Sequence, residues 1–365
     1  MSLTDRLLKA VSNPDSQKLS DRNYFKDKDR IWAHSGCPEL ESNLGGFGFP
    51  IGITEVAGTS KSGKTTIAMT GLKNFQKQHP DGFCIILSSE ERENDEYARR
   101  IGVDTDNVVV IRSRFVEDLF YKLQHHFDAI EQIWVEDKMK GKPAIFVMWD
   151  SVGATNSRAE LDTFKVNADI SKKNIEKGTK AEFKHAKMAD FAKSAKMCMK
   201  AVLAQLYEKH IIFVAINHLM DNLSSPMGGK TSTGGSWLEY LPTLRLKMER
   251  VGWERLEIDG LQQDVAQVTR VKVEKNDFGS RRQTDIEILL GYGIILSKAD
   301  IGYGVEKGII KKEGAKKMSY LGKMTWSTRR DFFKLYEENH KLLPLLHKKI
   351  ADMRHDDIIE SKGLR

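Results

Sequence analysis

Cysteine is scarce: Cys37, Cys84 and Cys198 are the three in 365 residues. They are odd in number, widely separated and in no metal-ligand spacing, which excludes a disulfide framework and a zinc module. Long apolar runs are also missing. The longest, such as Ala144–Trp149, reach about a third of the roughly 18 residues a membrane span needs. The opening MSLTDRLLKAVSNPD mixes charge into its apolar stretch and lacks the continuous apolar core of a signal peptide. No internal repeat is visible. What is present is a 40% hydrophobic content, too high for a disordered chain and enough to fill one large domain or two to three smaller ones. A soluble cytoplasmic protein with no membrane partner is the expectation.

The formal net charge of +7 favours an acidic partner only weakly. Its distribution says more. Residues 171–200 carry nine lysines against Glu176, Glu182 and Asp190, so nearly all the excess sits in one stretch. By itself that stretch reads equally well as a solvated helix face.

Leu3, Leu7, Leu8 and Val11 lie at helical spacing until Asn13-Pro14 stops them, which predicts a short N-terminal arm over residues 1–33. Apolar strand candidates follow at Gly52–Ala57, Phe83–Leu87, Asn107–Ile111, Ala144–Trp149, Ile211–Ile216, Thr243–Met248, Val265–Glu274 and Thr284–Leu290. Helical patterns occupy 64–78, 94–101, 116–136 and 186–209. Fully apolar strands alternating with helices predict an α/β fold, with a mostly parallel sheet covered on both faces over 34–294. The late strands alternate apolar with polar residues, as antiparallel strands with one wet face do. From 295 to 365 the chain turns Lys-rich and helical, a small C-terminal helical or α/β domain.

Gly58-Thr59-Ser60-Lys61-Ser62-Gly63-Lys64-Thr65 is a complete G-x-x-x-x-G-K-[ST] loop, with an apolar strand before it and a helix opening at Thr66. That context makes it a phosphate site. Its glycines let successive N–H groups curl round phosphates, and the helix N-terminus adds partial positive charge. Lys64 reaches the β- and γ-phosphates of a nucleotide, and the Thr65 hydroxyl ligates Mg²⁺. Asp150, ending an apolar strand, suits the same cation through a water; alone it would equally cap the next helix. After the Phe83–Leu87 strand, Glu90, Glu91 and Glu93 compete to orient the attacking water, and spacing does not choose among them.

Tyr97-Ala-Arg-Arg-Ile-Gly-Val-Asp104, Thr269-Arg-Val-Lys-Val-Glu-Lys-Asn276 and Gly291-Tyr-Gly-Ile294 resemble the corresponding strings of RecA-type recombinases. The phosphate loop, Asp150-Ser151, Ile211–Asn217 and Thr233-Gly-Gly235 stand in the right order over about residues 34–310. The arm and Ala215-Ile-Asn-His218 look most like the T4-type bacteriophage branch, where His stands in place of the Gln of bacterial RecA. The resemblance implies a RecA-like P-loop core. It implies that Glu90 is the catalytic glutamate and that Tyr97 stacks on adenine, although alone Tyr97 reads as a half-buried helix tyrosine. It further implies that Asn217 and His218 face the γ-phosphate and sense the nucleotide, although alone His218 reads as a satisfied strand-end histidine.

By the same resemblance, the two DNA-binding loops of the family map to about 157–186 and 219–236. The first draws in Lys172, Lys173, Lys177, Lys180 and Lys184, tipping the basic stretch toward a DNA-facing surface. The second offers Met227, Gly228, Gly229, Lys230, Thr231, Ser232, Gly234 and Gly235 as a non-periodic Gly/Ser/Thr segment.

Two departures from bacterial RecA stand out. Lys275 keeps the first of two trans-acting lysine positions, but Asp277 occupies the second, leaving Lys275 alone or Arg281/Arg282 as substitutes. The acidic C-terminal tail is absent: residues 331–365 hold seven acids and seven bases. The expectation is an ATP- and Mg²⁺-dependent recombinase that assembles a helical filament on single-stranded DNA and pairs it with homologous duplex. Single-strand-binding and mediator proteins would be its partners, and a bacterial host cytoplasm its location. The rivals are a RecA-fold hexameric helicase and a non-hydrolysing ATP-switch loader. Glu90 argues against the latter, since a pure switch needs no catalytic base.

Overall fold

The computed structural model describes residues 6, 9, 31–45, 48–90, 95–139, 141–177, 189–221, 230–233, 235, 237–258, 260–277, 279, 281–338 and 340–361. Residues 1–31 form one unit and 32–365 another. Of the first, Arg6 and Lys9 are helical and exposed, and the rest of the expected arm helix lies outside the described residues.

In the second unit, strands β1 (Trp32–Ala33) and β2 (Phe49–Pro50) flank helix α1 (Pro38–Leu44). The alternating part then runs β3 (Gly52–Gly58), α2 (Lys64–Gln78), β4 (Phe83–Ser88), α3 (Asp95–Ile101), β5 (Val109–Arg112), α4 (Val116–Glu136) and β6 (Ile145–Asp150). Helices α5 (Arg158–Lys177) and α6 (Ala189–Leu206) lead to β7 (Ile211–Asp221). After β8 (Lys230–Ser232) and the one-turn α7 (Trp237–Tyr240) come β9 (Leu244–Ile258), β10 (Leu261–Asn276), β11 (Gln283–Leu289) and β12 (Gly293–Ile295). The chain ends with α8 (Lys298–Glu306), β13 (Lys311–Glu313), β14 (Lys317–Tyr320), β15 (Met324–Trp326), α9 (Arg329–Glu337) and α10 (Leu343–Ser361).

One ten-stranded sheet runs in the order β12-β11-β10-β9-β3-β7-β6-β4-β5, with β8 paired to β7. The strands from β9 through β5 are parallel, and β10 to β12 fold back antiparallel. Alternation along β6 shows why both faces are covered. Val147 and Trp149 join the apolar cluster under α4 and α6, while Phe146 meets Phe75 of α2, ring centroids 5.5 Å apart. Helix α4 buries Val116, Leu119, Phe120, Leu123, Phe127 and Ile130, one stripe at helical spacing. Each such side chain removed from water contributes roughly 1.5–3 kcal/mol.

Register matters more than the layers. In parallel strands Gly58 lies beside His218 and Ser88 beside Asp150. The phosphate loop, Glu90, Asp150 and His218 therefore emerge along one edge of the sheet, where open α/β sheets bind ligands.

Several expectations need correction. The stretch 157–186 does not open as a loop: Arg158–Lys177 is helix. Ser157 and Glu160 exchange backbone-to-side-chain hydrogen bonds at 2.7 and 3.3 Å, a capping box that starts it, and no Gly or Pro interrupts it before Gly178. The strands expected at Thr243–Met248 and Val265–Glu274 are 15 and 16 residues long, because they continue as a protruding antiparallel hairpin. Asn107 belongs to a 3-10 turn, and the strand begins at Val109. Of the two alternatives for the C-terminal part, α/β is the one present, with a three-stranded sheet. Its Trp326, Phe332, Phe333, Leu346 and Ile350 share one apolar cluster with Ala266, Leu289 and Ile295 of the large sheet.

Candidate nucleotide site and nucleic-acid interface

The loop from Gly58 to Thr65 folds as its sequence requires. Gly63 has φ +89°, and a Cβ at Gly58 would lie 2.5 Å from Met248 O, so both positions need glycine. Lys64 is buried, its Nζ donating to Gly58 O at 3.1 Å and Thr59 O at 2.8 Å. Burial lowers its pKa, against the opposing pull of Asp150 and Glu90. Thr65 Oγ1 donates to Asp150 Oδ2 at 2.9 Å, pairing the two candidate metal ligands. Ser62 Oγ is buried with no hydrogen-bond partner among the described residues.

Glu90 stands across the cleft. Ser151 Oγ donates to its Oε1 at 3.2 Å, and His218 Nε2 lies 4.0 Å from the same oxygen. Burial lowers the His218 pKa and nearby Lys64 lowers it further, with Glu90 opposing, which favours the neutral imidazole. Tyr97 is tied to the first turn of α2 by a 2.6 Å hydrogen bond between its hydroxyl and Thr66 Oγ1. Burial raises its pKa.

These residues line a cleft of about 510 Å³ that holds Ser60, Lys61, Ser62, Gly63, Lys64, Thr65, Thr66, Glu90, Tyr97, Asp150 and His218. The far wall is the antiparallel part of the sheet: Arg250, Trp253, Gln267 and Ile288–Gly291. The Arg250 guanidinium sits 5.0 Å from the Trp253 ring centroid. Sequence reasoning found none of this wall except Gly291, and missed Ser151. Arg250 and Trp253 carried no motif signal, since only the folded hairpin brings them opposite the loop.

The residues fit a nucleotide with a divalent cation. Among the described residues no three His, Cys, Asp or Glu side chains gather to hold a metal. Thr65 and Asp150 alone suit Mg²⁺, which takes one or two protein ligands and completes its octahedron with phosphate oxygens and water.

Asn217 departs from expectation. It does not line the cleft, and its Nδ2 donates to Glu55 Oε1 at 2.9 Å and Thr233 O at 2.7 Å. The burial of Glu55, deep in the sheet, demands that donor. Lys275 is likewise outside the cleft, its Nζ bonded to Tyr240 O at 3.0 Å beside a Tyr240 ring that is 73% exposed.

The two basic or Gly-rich segments rise from the same edge. A Cβ on Gly153, just before α5, would lie 2.9 Å from Thr233 Oγ1 and 3.2 Å from the His218 ring. Lys172, Lys173 and Lys177 fall on the last turns of α5; Lys180 and Lys184 lie outside the described residues. In the second segment Lys230, Thr231 and Ser232 form β8, which pairs back on Leu219–Asp221, so the segment is a β-ribbon at its base. Met227, Gly228, Gly229 and Gly234 lie outside the described residues. Gly235 has φ +91° and would press a Cβ to 2.7 Å from Ala192 of α6. No helix among the described residues is long and apolar enough to cross a membrane.

Comparison with known proteins follows the same lines. A model of the RecA N-terminal domain matches residues 18–295. The chain is 29% identical over 322 residues to Protein RecA of Acidothermus cellulolyticus, covering 87% of this chain and 82% of that protein. Protein RecA of Saccharopolyspora erythraea matches to the same extent. Protein RecA of Cutibacterium acnes is 30% identical over 285 residues, 77% of this chain and 71% of that protein. The chain belongs to the RecA family of recombinases and is a P-loop, DNA-dependent ATPase.

Proposed function

We propose that this chain is a bacteriophage recombinase of the UvsX-like branch that forms helical filaments on single-stranded DNA and exchanges that strand with a homologous duplex. The observation that carries the reading is the shared edge: His218 lines the nucleotide cleft, and Gly153, shortly before the first candidate DNA segment, packs so closely that a Cβ there would lie 3.2 Å from the His218 ring and 2.9 Å from Thr233 Oγ1 of the second. That closeness supports a coupling between nucleotide state and DNA contact.

In this reading ATP occupies the cleft, with Lys64 on its β- and γ-phosphates and Tyr97 beside the base. Mg²⁺ on Thr65 and Asp150 neutralises charge growing on the phosphate oxygens. Glu90, oriented by the Ser151 hydroxyl, aligns a water for in-line attack and accepts its proton. His218 senses the nucleotide, with Asn217 acting behind it. Lys275 stands at the sheet's outer end, away from its own cleft, which suits a cation offered to a neighbouring protomer's phosphates; Arg281 and Arg282 are the alternatives. Residues 1–33 pack on a neighbour and 295–365 form the C-terminal domain. The Lys172–Lys184 stretch and the 219–236 segment track the DNA backbone, leaving sequence recognition to base pairing. Single-strand-binding and mediator proteins are its partners in the host cytoplasm.

A pairing assay tests this. Purified protein, ATP and Mg²⁺ should drive a labelled single strand into a homologous supercoiled duplex and leave a heterologous one untouched. Unwinding of a forked duplex without homologous pairing would overturn the reading in favour of a helicase.

A further inference from the structure

Glu55 is a fully buried carboxylate in the middle of the parallel sheet, in register with Ala215 of β7 and Arg245 of β9. A buried charge is costly unless its oxygens are met by donors. Arg245 Nε donates to Oε2 at 2.7 Å, and Asn217 Nδ2 donates to Oε1 at 2.9 Å. As a source of stability such a pair is weak, because an apolar pair of equal volume would serve the sheet as well. What it holds is more telling.

The Asn217 amide uses every bonding position it has. Its nitrogen donates to Glu55 and to Thr233 O, and its oxygen accepts from Thr233 Oγ1 and from the His218 N–H at 2.8 Å. A carboxylate only accepts, so Glu55 forces the amide nitrogen toward itself and the oxygen toward Thr233 and His218. Turned the other way, the amide would set its oxygen against a carboxylate oxygen. Thr233 follows β8, the return strand of the 219–236 segment, and His218 lines the cleft beside Glu90.

We propose that Glu55, held by Arg245, is a positioning residue that locks the Asn217 amide, so that a movement of the 219–236 segment at Thr233 is transmitted to His218 and the water-orienting Glu90. This rests on the reading of 219–236 as a DNA-binding segment. If Thr233 shifts, the locked amide does not absorb the shift by turning over; the change passes to the backbone of His218. Without the carboxylate the amide keeps only Thr233 O and the His218 N–H to orient it; the fixed anchor in the sheet is gone, and the link is weakened.

The experiment compares ATP hydrolysis with and without single-stranded DNA. Glu55→Gln keeps the shape, but Arg245, which only donates, claims its oxygen and turns its amide nitrogen toward Asn217, removing the acceptor that orients Nδ2. Stimulation by DNA should fall at least tenfold, with the DNA-independent rate and the KM for ATP within twofold of wild type. Thr233→Val breaks the hydroxyl bond at the less buried end and should lower stimulation with single-strand affinity within twofold of wild type, so it carries the test if Glu55→Gln does not fold. Arg245→Lys, which still donates to Oε2, should keep most of the stimulation. Folded Glu55→Gln and Thr233→Val proteins with wild-type stimulation would overturn the proposal. So would a proportional fall of both rates, the signature of a merely structural role. Wild type is measured first: no stimulation there would overturn the DNA reading and this proposal with it, whereas stimulated variants overturn this proposal alone.

Discussion

Replacing Glu90 with Gln isolates the chemical step from everything around it. The side chain is 44% exposed, so the change should move stability by no more than about 0.5 kcal/mol. Gln keeps an oxygen to accept the Ser151 hydroxyl, now 3.2 Å from Glu90 Oε1, so the local geometry survives. What disappears is the carboxylate proposed to align and deprotonate water. Loss of a general base slows turnover by about 10²–10⁴-fold, or about 2.7–5.5 kcal/mol on the barrier. ATP binding should persist, because Lys64, Thr65 and Tyr97 are untouched and the removed charge is not a phosphate contact. Phosphate release with saturating DNA gives the rate, and fluorescent-nucleotide titration gives the affinity. Turnover within tenfold of wild type, at unchanged affinity, would refute the assignment and move the role to another acid, Glu91 first.

Three further outcomes follow from the same geometry. Lys64→Ala and Lys275→Ala proteins should each hydrolyse poorly, yet mixing them should restore part of the DNA-dependent turnover, since some mixed interfaces carry both intact halves; no recovery in demonstrated mixed filaments would make Lys275 a plain strand-end lysine. Changing Lys172, Lys173 and Lys177 together to Ala should flatten the log–log salt dependence of single-strand binding by up to about 2 units, and an unchanged slope would return α5 to the surface. His347, which meets the Tyr336 hydroxyl at 2.7 Å, has its pKa lowered to about 3 by burial, with Lys73 and Lys77 adding to the effect. The folded state thus refuses a proton that the unfolded state takes below about 6.5, so stability is full above that pH and falls through the window down to about 3. By pH 5 the loss reaches up to about 2 kcal/mol; urea melts should show it in wild type and not in His347→Gln.

Periodicity carried much of the fold. Helices α2 and α4 begin and end where their apolar stripes do, at 64–78 and 116–136, because each has one buried face against the sheet. Strands β4 and β6 are legible as short apolar runs because both of their faces are covered. Helix α5 was hidden for a different reason: it buries no clear apolar stripe, with Phe164 70% and Val166 40% exposed, so periodicity passes over a stretch of good helix formers with a capping box at its start. The long hairpin was cut short at Met248 because the charged residues beyond it break an apolar run without breaking the strand.

The site divides in the same way. The phosphate loop is local, so residues 58–65 announce themselves. Asn217 is recognisable as the polar residue after the apolar run Ile211–Ile216, although β7 continues to Asp221, and the direction of its amide is fixed by Glu55, 162 positions away, and by Thr233 within the second segment. Arg250 and Trp253 enter the cleft only because β9, parallel to β3, runs on past Gly58 beside the loop. No pattern of neighbours in the chain encodes those approaches.

The central claim is assembly on DNA, and negative-stain imaging of the protein with ATP, Mg²⁺ and a long single strand tests it most directly. Helical filaments that follow the strand and disappear when Lys64 is changed to Ala are the predicted result. Closed rings, or single particles at every protein concentration, would contradict it.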